Sequence, residues 1–130
     1  MRTWWPRPDD VQTWLDENGF YSRDWGLLAS ALSRPLTALS GQEMYPTIWL
    51  KLAALLDSIE RNHPLLDDNK RLGYLLVALV LRGNGIDDRH VSDEDWYDLV
   101  VSDAADHVEL EALANRLRET VEHDGTSGFD

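Results

Sequence analysis

His63, Asp67, Asn69, Lys70 and Arg71 stand in one short stretch, HPLLDDNKR at residues 63–71. These residue types at this spacing suit transfer of a phosphate-containing group. A helix start is expected at Asn69. The free N–H groups and dipole of a helix N-terminus form an anion site. Lys70 and Arg71 add two cations beside it. Asp67 offers the kind of oxygen that magnesium uses alongside phosphates. A free imidazole titrates at about 6.5, so His63 can accept a proton from an attacking hydroxyl near neutrality. Phosphoryl and nucleotidyl transfer need little more than such positioning and charge neutralisation. The same residues also admit an ordinary reading. Residues 67–69 can serve as an N-cap cluster, His63-Pro64 as a helix stop, and Lys70-Arg71 as surface charge.

Two helices must hold this stretch. The earlier one opens at Tyr45-Pro46 and buries Ile48, Leu52, Leu55, Leu56 and Ile59. The later one runs over residues 69–82 and stops at Gly83-Asn84-Gly85. It is apolar on nearly every side, which predicts that it lies at the centre of the fold. Its apolar run, residues 74–81, is too short to cross a bilayer. Before these, Asp9 and Asp10 open a first helix carrying Val11, Trp14 and Leu15, and Asn18-Gly19 ends it. A second helix spans residues 24–33, with Trp25, Leu28, Ala29 and Leu32 on one face. Residues 34–44 have weak periodicity and read as a loop or a flap. Ser92 and Asp95 open a fifth helix through Trp96, Leu99 and Val100, and residues 108–121 form a sixth. No strand alternation is evident. The fold class is therefore all-α: a compact bundle of about six helices around one buried central helix. One domain covers residues 1–122, and the polar tail, 123–130, is expected to be disordered.

Composition limits the partners. The chain of 130 residues carries 12 basic against 24 acidic side chains, a net charge of −12. That balance repels a phosphate backbone, so no direct nucleic-acid binding is expected, and it favours a basic partner. Cysteine is absent, which removes thiolate nucleophiles and thiolate metal sites and fits a reducing compartment. The first ten residues hold tryptophans and prolines but no apolar targeting segment. A cytoplasmic location with no membrane partner is the expectation.

The stretch at 63–71 resembles the signature loop of the Fic/Doc family, His-Pro-Phe-x-Asp/Glu-Gly-Asn-Gly/Lys-Arg. It matches at His63, Pro64, Asp67, Asn69, Lys70 and Arg71. LLASALSRP at 27–35, Tyr45-Pro46-Thr47, Arg61-Asn62 and LRGNG at 81–85 also resemble the compact Doc branch, the death-on-curing toxins. The likeness runs over residues 25–120. It implies the compact Fic/Doc bundle and a set of roles. His63 is the general base toward a protein hydroxyl. Asp67 holds Mg2+ on the phosphates of ATP. Asn69, Lys70 and Arg71 orient and neutralise those phosphates, and Arg61 reaches them from the preceding helix. Asn-Lys-Arg sides with the Doc toxins, which implies a protein kinase acting on translation elongation factor Tu and restrained by a Phd-like antitoxin. AMP transfer to a protein hydroxyl is the alternative, as is an interaction module without catalysis. Two positions depart from the pattern. Leu65 replaces phenylalanine as a smaller apolar anchor. Asp68 stands where the family has glycine or alanine, and its charge opposes an anionic nucleotide.

TWLDEN at 13–18 fits the loose Ser/Thr-x-x-x-Glu-Asn/Gly pattern of the Fic inhibitory helix, which would ask Glu17 to reach Arg71. An ordinary surface glutamate is the other reading. His90 and His107 lack metal-ligand spacing and read as surface histidines, and His123 falls in the tail. Trp14, Trp25, Trp49 and Trp96 fall on helix stripes and are expected in the core. Trp4 and Trp5 mark either an antitoxin surface or an N-terminal packing arm.

Overall fold

The computed structural model describes residues 3–106 and 109–127. Its elements run α1 (Pro8–Glu17), α2 (Trp25–Ser33), a 3-10 turn (Arg34–Leu36), β1 (Ala38–Leu39), β2 (Gln42–Glu43), α3 (Ile48–Asn62), α4 (Asn69–Gly83), α5 (Asp93–Asp106) and α6 (Leu110–Ser127). The six-helix, all-α expectation holds. The centre of the bundle differs from the one predicted.

That centre is α3, not α4. Every residue from 51 to 59 is buried, and α3 packs against α2, α4, α5 and α6. Composition hides this because three of those residues are polar. Lys51, 2% exposed, reaches Glu43 Oε1 at 2.9 Å and the Tyr45 carbonyl. Asp57 and Ser58 accept from Arg34 Nη1 at 2.9 and 3.0 Å. Paired polar groups tolerate burial that unpaired ones do not. The reverse applies to α4, where Leu79 is 42% exposed.

Local chemistry sets the helix ends. Pro8 occupies the first turn of α1, where its missing N–H costs nothing, so the helix starts one residue before Asp9. The Asp24 side chain accepts from Gly26 N at 2.8 Å and starts α2. The Thr47 hydroxyl accepts from Leu50 N at 3.1 Å, which moves the start of α3 past Tyr45-Pro46 to Ile48. Ser92 Oγ accepts from Asp95 N at 3.0 Å ahead of α5. In the sixth helix, Leu113, Ala114, Leu117 and Val121 are buried. That helix continues through 123–127, where a disordered tail is predicted. Val121 anchors the segment, no proline follows, and the glycine at 125 only weakens a helix. Residues 128–130 lie outside the described residues.

Residues 34–44 contain a structure the sequence does not advertise. β1 and β2 pair antiparallel, Ala38 with Glu43 and Leu39 with Gln42. Ser40 and Gly41 both have positive φ, 51° and 79°, as a tight two-residue hairpin turn requires. Strands of two residues are too short to show alternation.

Two of the expected core tryptophans are only partly covered. Trp14 is 39% and Trp25 36% exposed, whereas Trp96 is buried and Trp49 half-buried. Trp25 is the first residue of α2, at the rim of the face formed by Leu28, Ala31 and Leu32. The N-terminal residues form a packing arm. Trp5 Nε1 donates to the Leu32 carbonyl at 2.8 Å. Trp4 exchanges two hydrogen bonds with Asn84, at 2.7 and 3.0 Å, and its indole covers Gly83. Among the described residues, no helix is long and apolar enough to cross a membrane.

Candidate active site

α3 ends at His63, the C-cap residue, which adopts the left-handed conformation with φ 49° and ψ 65°. A second left-handed residue, Asp68 with φ 66°, turns the chain into α4. Between them the loop is tied from both sides. Leu65, 1% exposed, anchors it in the core. The Asn69 amide brackets the Leu65 backbone, its oxygen accepting from Leu65 N at 2.9 Å and its nitrogen donating to Leu65 O at 3.0 Å. From the other side, Leu66 N donates to Tyr21 O at 2.9 Å, and Ser22 bridges to Leu65.

The loop and the start of α4 wall a cleft of about 500 Å³, lined by His63, Leu66, Asp67, Asp68, Asn69, Lys70, Arg71, Tyr74 and Tyr97. That volume suits a small-molecule ligand. Asp68 makes no side-chain capping bond, so the first-turn N–H groups of α4 are not covered by their cap residue. One oxygen of Asp67 accepts from Asp68 N at 2.8 Å. Among the described residues no group of three His, Cys, Asp or Glu could cage a metal. One exposed carboxylate beside an anion site fits Mg2+, which usually takes one or two carboxylates together with phosphate oxygens.

Five of the six predicted site residues thus share one cleft: His63, Asp67, Asn69, Lys70 and Arg71. Arg61 does not line it. Its Nε bonds both Asp57 oxygens, at 2.9 and 3.1 Å, one turn back along α3. Asn69 lines the cleft while its amide is engaged with Leu65, so it shapes the loop as well as the wall. Arg71 lies over the Phe20 ring at 5.5 Å, and Phe20 stacks on Trp14 at 5.6 Å. The end of α1 is therefore close to Arg71. Yet Glu17 makes no ion pair with it among the described residues, and Thr13 and Asn18 bond back to α1 carbonyls. His90 Nε2 sits 2.6 Å from the Val121 carbonyl, in no metal cluster, while His107 and the His123 side chain lie outside the described residues.

Three residues near the site were not legible as site residues. Tyr74 follows Arg71 by three, a same-face helical spacing that could have been read. Tyr97 comes from α5 and carries no such signal. Glu60 lies one turn before His63. Its Oε1 is buried with no hydrogen-bond partner, and burial pushes its carboxyl above the ordinary value, with Lys70 and His63 pulling it back. A carboxyl raised on folding favours the protonated form, so ionising it costs stability as pH rises through its folded pKa. Glu60→Gln is expected to raise Tm at pH 7.5 and to leave it unchanged at pH 3.5. Thermal melts at the two pH values measure this, and equal shifts at both would contradict it.

A family model described as the Fic/DOC family matches residues 9–81, from α1 to nearly the end of α4. The chain belongs to the Fic/DOC family. Within it, the chain is similar to Toxin Doc of Mycolicibacterium smegmatis, 45% identical over 64 residues, which cover 49% of each chain. The chain thus matches about half the length of that curated relative. No solved structure matches it. The Fic/DOC match takes in the whole cleft loop at 63–71. Asp68 holds a left-handed φ of 66°, a region that glycine enters without the steric cost a side chain incurs.

Proposed function

We propose that the chain is the toxin of a toxin–antitoxin pair and a protein kinase, transferring the γ-phosphoryl group of ATP to a Ser or Thr hydroxyl of a protein. The supporting observation is the gathering of an imidazole, a carboxylate and two cations around the α4 N-terminus in one cleft. His63 takes the proton of the attacking hydroxyl, leaving its oxygen free to bond phosphorus as the bond to the leaving ADP oxygen breaks. Lys70, Arg71 and the first N–H groups of α4 stabilise charge on the phosphates. Asp67 holds Mg2+, which supplies further neutralisation of that charge. The resemblance of residues 63–71 to the Doc branch points to a translation factor as target, with elongation factor Tu the first candidate, and to a Phd-like antitoxin as restraining partner; the match to Toxin Doc supports the toxin role. The net charge of −12 suits a basic antitoxin segment.

Label position tests the reaction. Purified chain is incubated with elongation factor Tu and ATP labelled at the γ or the α phosphorus. Transfer from γ is the expected result. Transfer from α means AMP transfer, and no transfer from either with any translation factor overturns the enzyme reading.

Asp68 keeps an inactive variant in view, because its exposed carboxylate forms part of the cleft wall. A like charge at an exposed site opposes the phosphates by about 1 kcal/mol. Asp68→Gly is therefore expected to tighten nucleotide binding about fivefold, with the gain shrinking in high salt. Calorimetric titration at two salt concentrations reads this directly. An unchanged or weakened affinity means the carboxylate does not oppose the nucleotide.

A further inference from the structure

We infer that Arg23, outside the cleft, positions the general base, an inference that rests on the role proposed for His63. α3 ends on a non-glycine residue in the left-handed region. That conformation is strained for a residue with a side chain and persists only where surrounding contacts over-determine it. Arg23 supplies those contacts. Its Nε donates to the His63 carbonyl at 2.8 Å and its Nη2 to the Asn62 carbonyl at 2.5 Å. Its own backbone N–H donates to the Pro64 carbonyl at 2.8 Å. One residue thus takes the carbonyls of three consecutive residues, 62, 63 and 64.

The chemistry suits the place. The last carbonyls of a helix have no partner within it, and a cation there complements the negative end of the dipole. A guanidinium reaches two carbonyls at once because its donors form a fixed fork. Neighbouring backbone bonds, Leu66 N to Tyr21 O and Asp24 N to Pro64 O, keep this clasp alongside the loop. Lys70 and Arg71 hang on α4, whereas His63 hangs on the end of α3. The clasp therefore sets the imidazole against the cations. Arg23 is exposed, so truncating it opens no cavity. Its loss is expected to free the His63 backbone without unfolding the bundle.

Arg23→Gln and Arg23→Lys separate positioning from stability. Displacement of a catalytic group by about 1 Å can cost about 100-fold in rate. Arg23→Gln is expected to lower kcat about tenfold to 100-fold, with KM for ATP within about threefold and Tm within a few degrees. Arg23→Lys, which meets one carbonyl rather than two, should fall between this variant and wild type. The His63 imidazole carbon–proton signal, assigned by its loss in His63→Ala, should be single and narrow in wild type and broadened or doubled in Arg23→Gln. An unchanged kcat, or an unchanged His63 signal in folded Arg23→Gln, overturns the inference. Should wild type transfer no label, the kinase reading fails by itself, and the imidazole signal alone decides whether Arg23 holds His63.

Discussion

His63→Ala is expected to lower kcat about 10²- to 10⁴-fold, the usual contribution of a positioned acid–base group, while nucleotide affinity stays within about twofold. The split follows from geometry. The groups expected to hold the phosphates belong to the start of α4 and the residues just before it, whereas the imidazole comes from the end of α3. Removing the base leaves the anion site intact. Nearby carboxylates are poor substitutes. Asp67 and Asp68 are exposed, beside and at the loop's second left-handed residue, and Glu60 is half-buried with its Oε1 lacking a hydrogen-bond partner. His63→Asn is the companion variant, because asparagine accepts the left-handed backbone more readily than alanine. Both should be inactive in the labelled-transfer assay and bind nucleotide in a titration. Activity within about threefold of wild type in either one removes His63 from the mechanism.

Leu65→Ala is expected to cost about 2–5 kcal/mol of stability, as for other large-to-small changes at buried positions. Leu65 is 1% exposed and belongs to the main core. It is also the residue whose backbone the Asn69 amide brackets, so the cavity would open under the loop that walls the cleft. Loss of activity should therefore accompany the loss of stability at temperatures where the protein remains folded. Leu66, the next residue, is 68% exposed, and Leu66→Ala should change stability by less than about 0.5 kcal/mol. Urea unfolding of the pair measures the contrast. Equal midpoints for the two variants would mean that the loop is not anchored through position 65.

The parts of the site that were legible in the sequence are those carried by one continuous stretch. Residues 63–71 reveal themselves because a helix stop, a carboxylate and two cations fall within a few positions. Contacts closed by the fold leave no such trace. Arg23 is one arginine among many until three carbonyls meet it. Tyr97 reaches the cleft only because α5 packs beside α4. Arg61 shows the converse: nearness in sequence suggests a phosphate ligand, and the fold pairs its Nε with Asp57 at i,i+4, outside the cleft lining. The central helix was misplaced for a related reason. Hydropathy sees Lys51, Asp57 and Ser58 as surface residues, and it cannot see Glu43, Tyr45 or Arg34 arriving to satisfy them.

Gly83 has a consequence for the opposite end of the molecule. A methyl group at this position would lie 2.1 Å from the Trp4 indole, so the residue must lack a side chain because of a neighbour, not because of its own dihedral angles. The indole acts as a hasp and the bare backbone as its staple. Any bulkier residue at 83 would spring the leading segment from α4, leaving the Trp5–Leu32 bond as its remaining side-chain fastening. The helix that presents Lys70 and Arg71 at one tip is thus latched to Trp4 at the other.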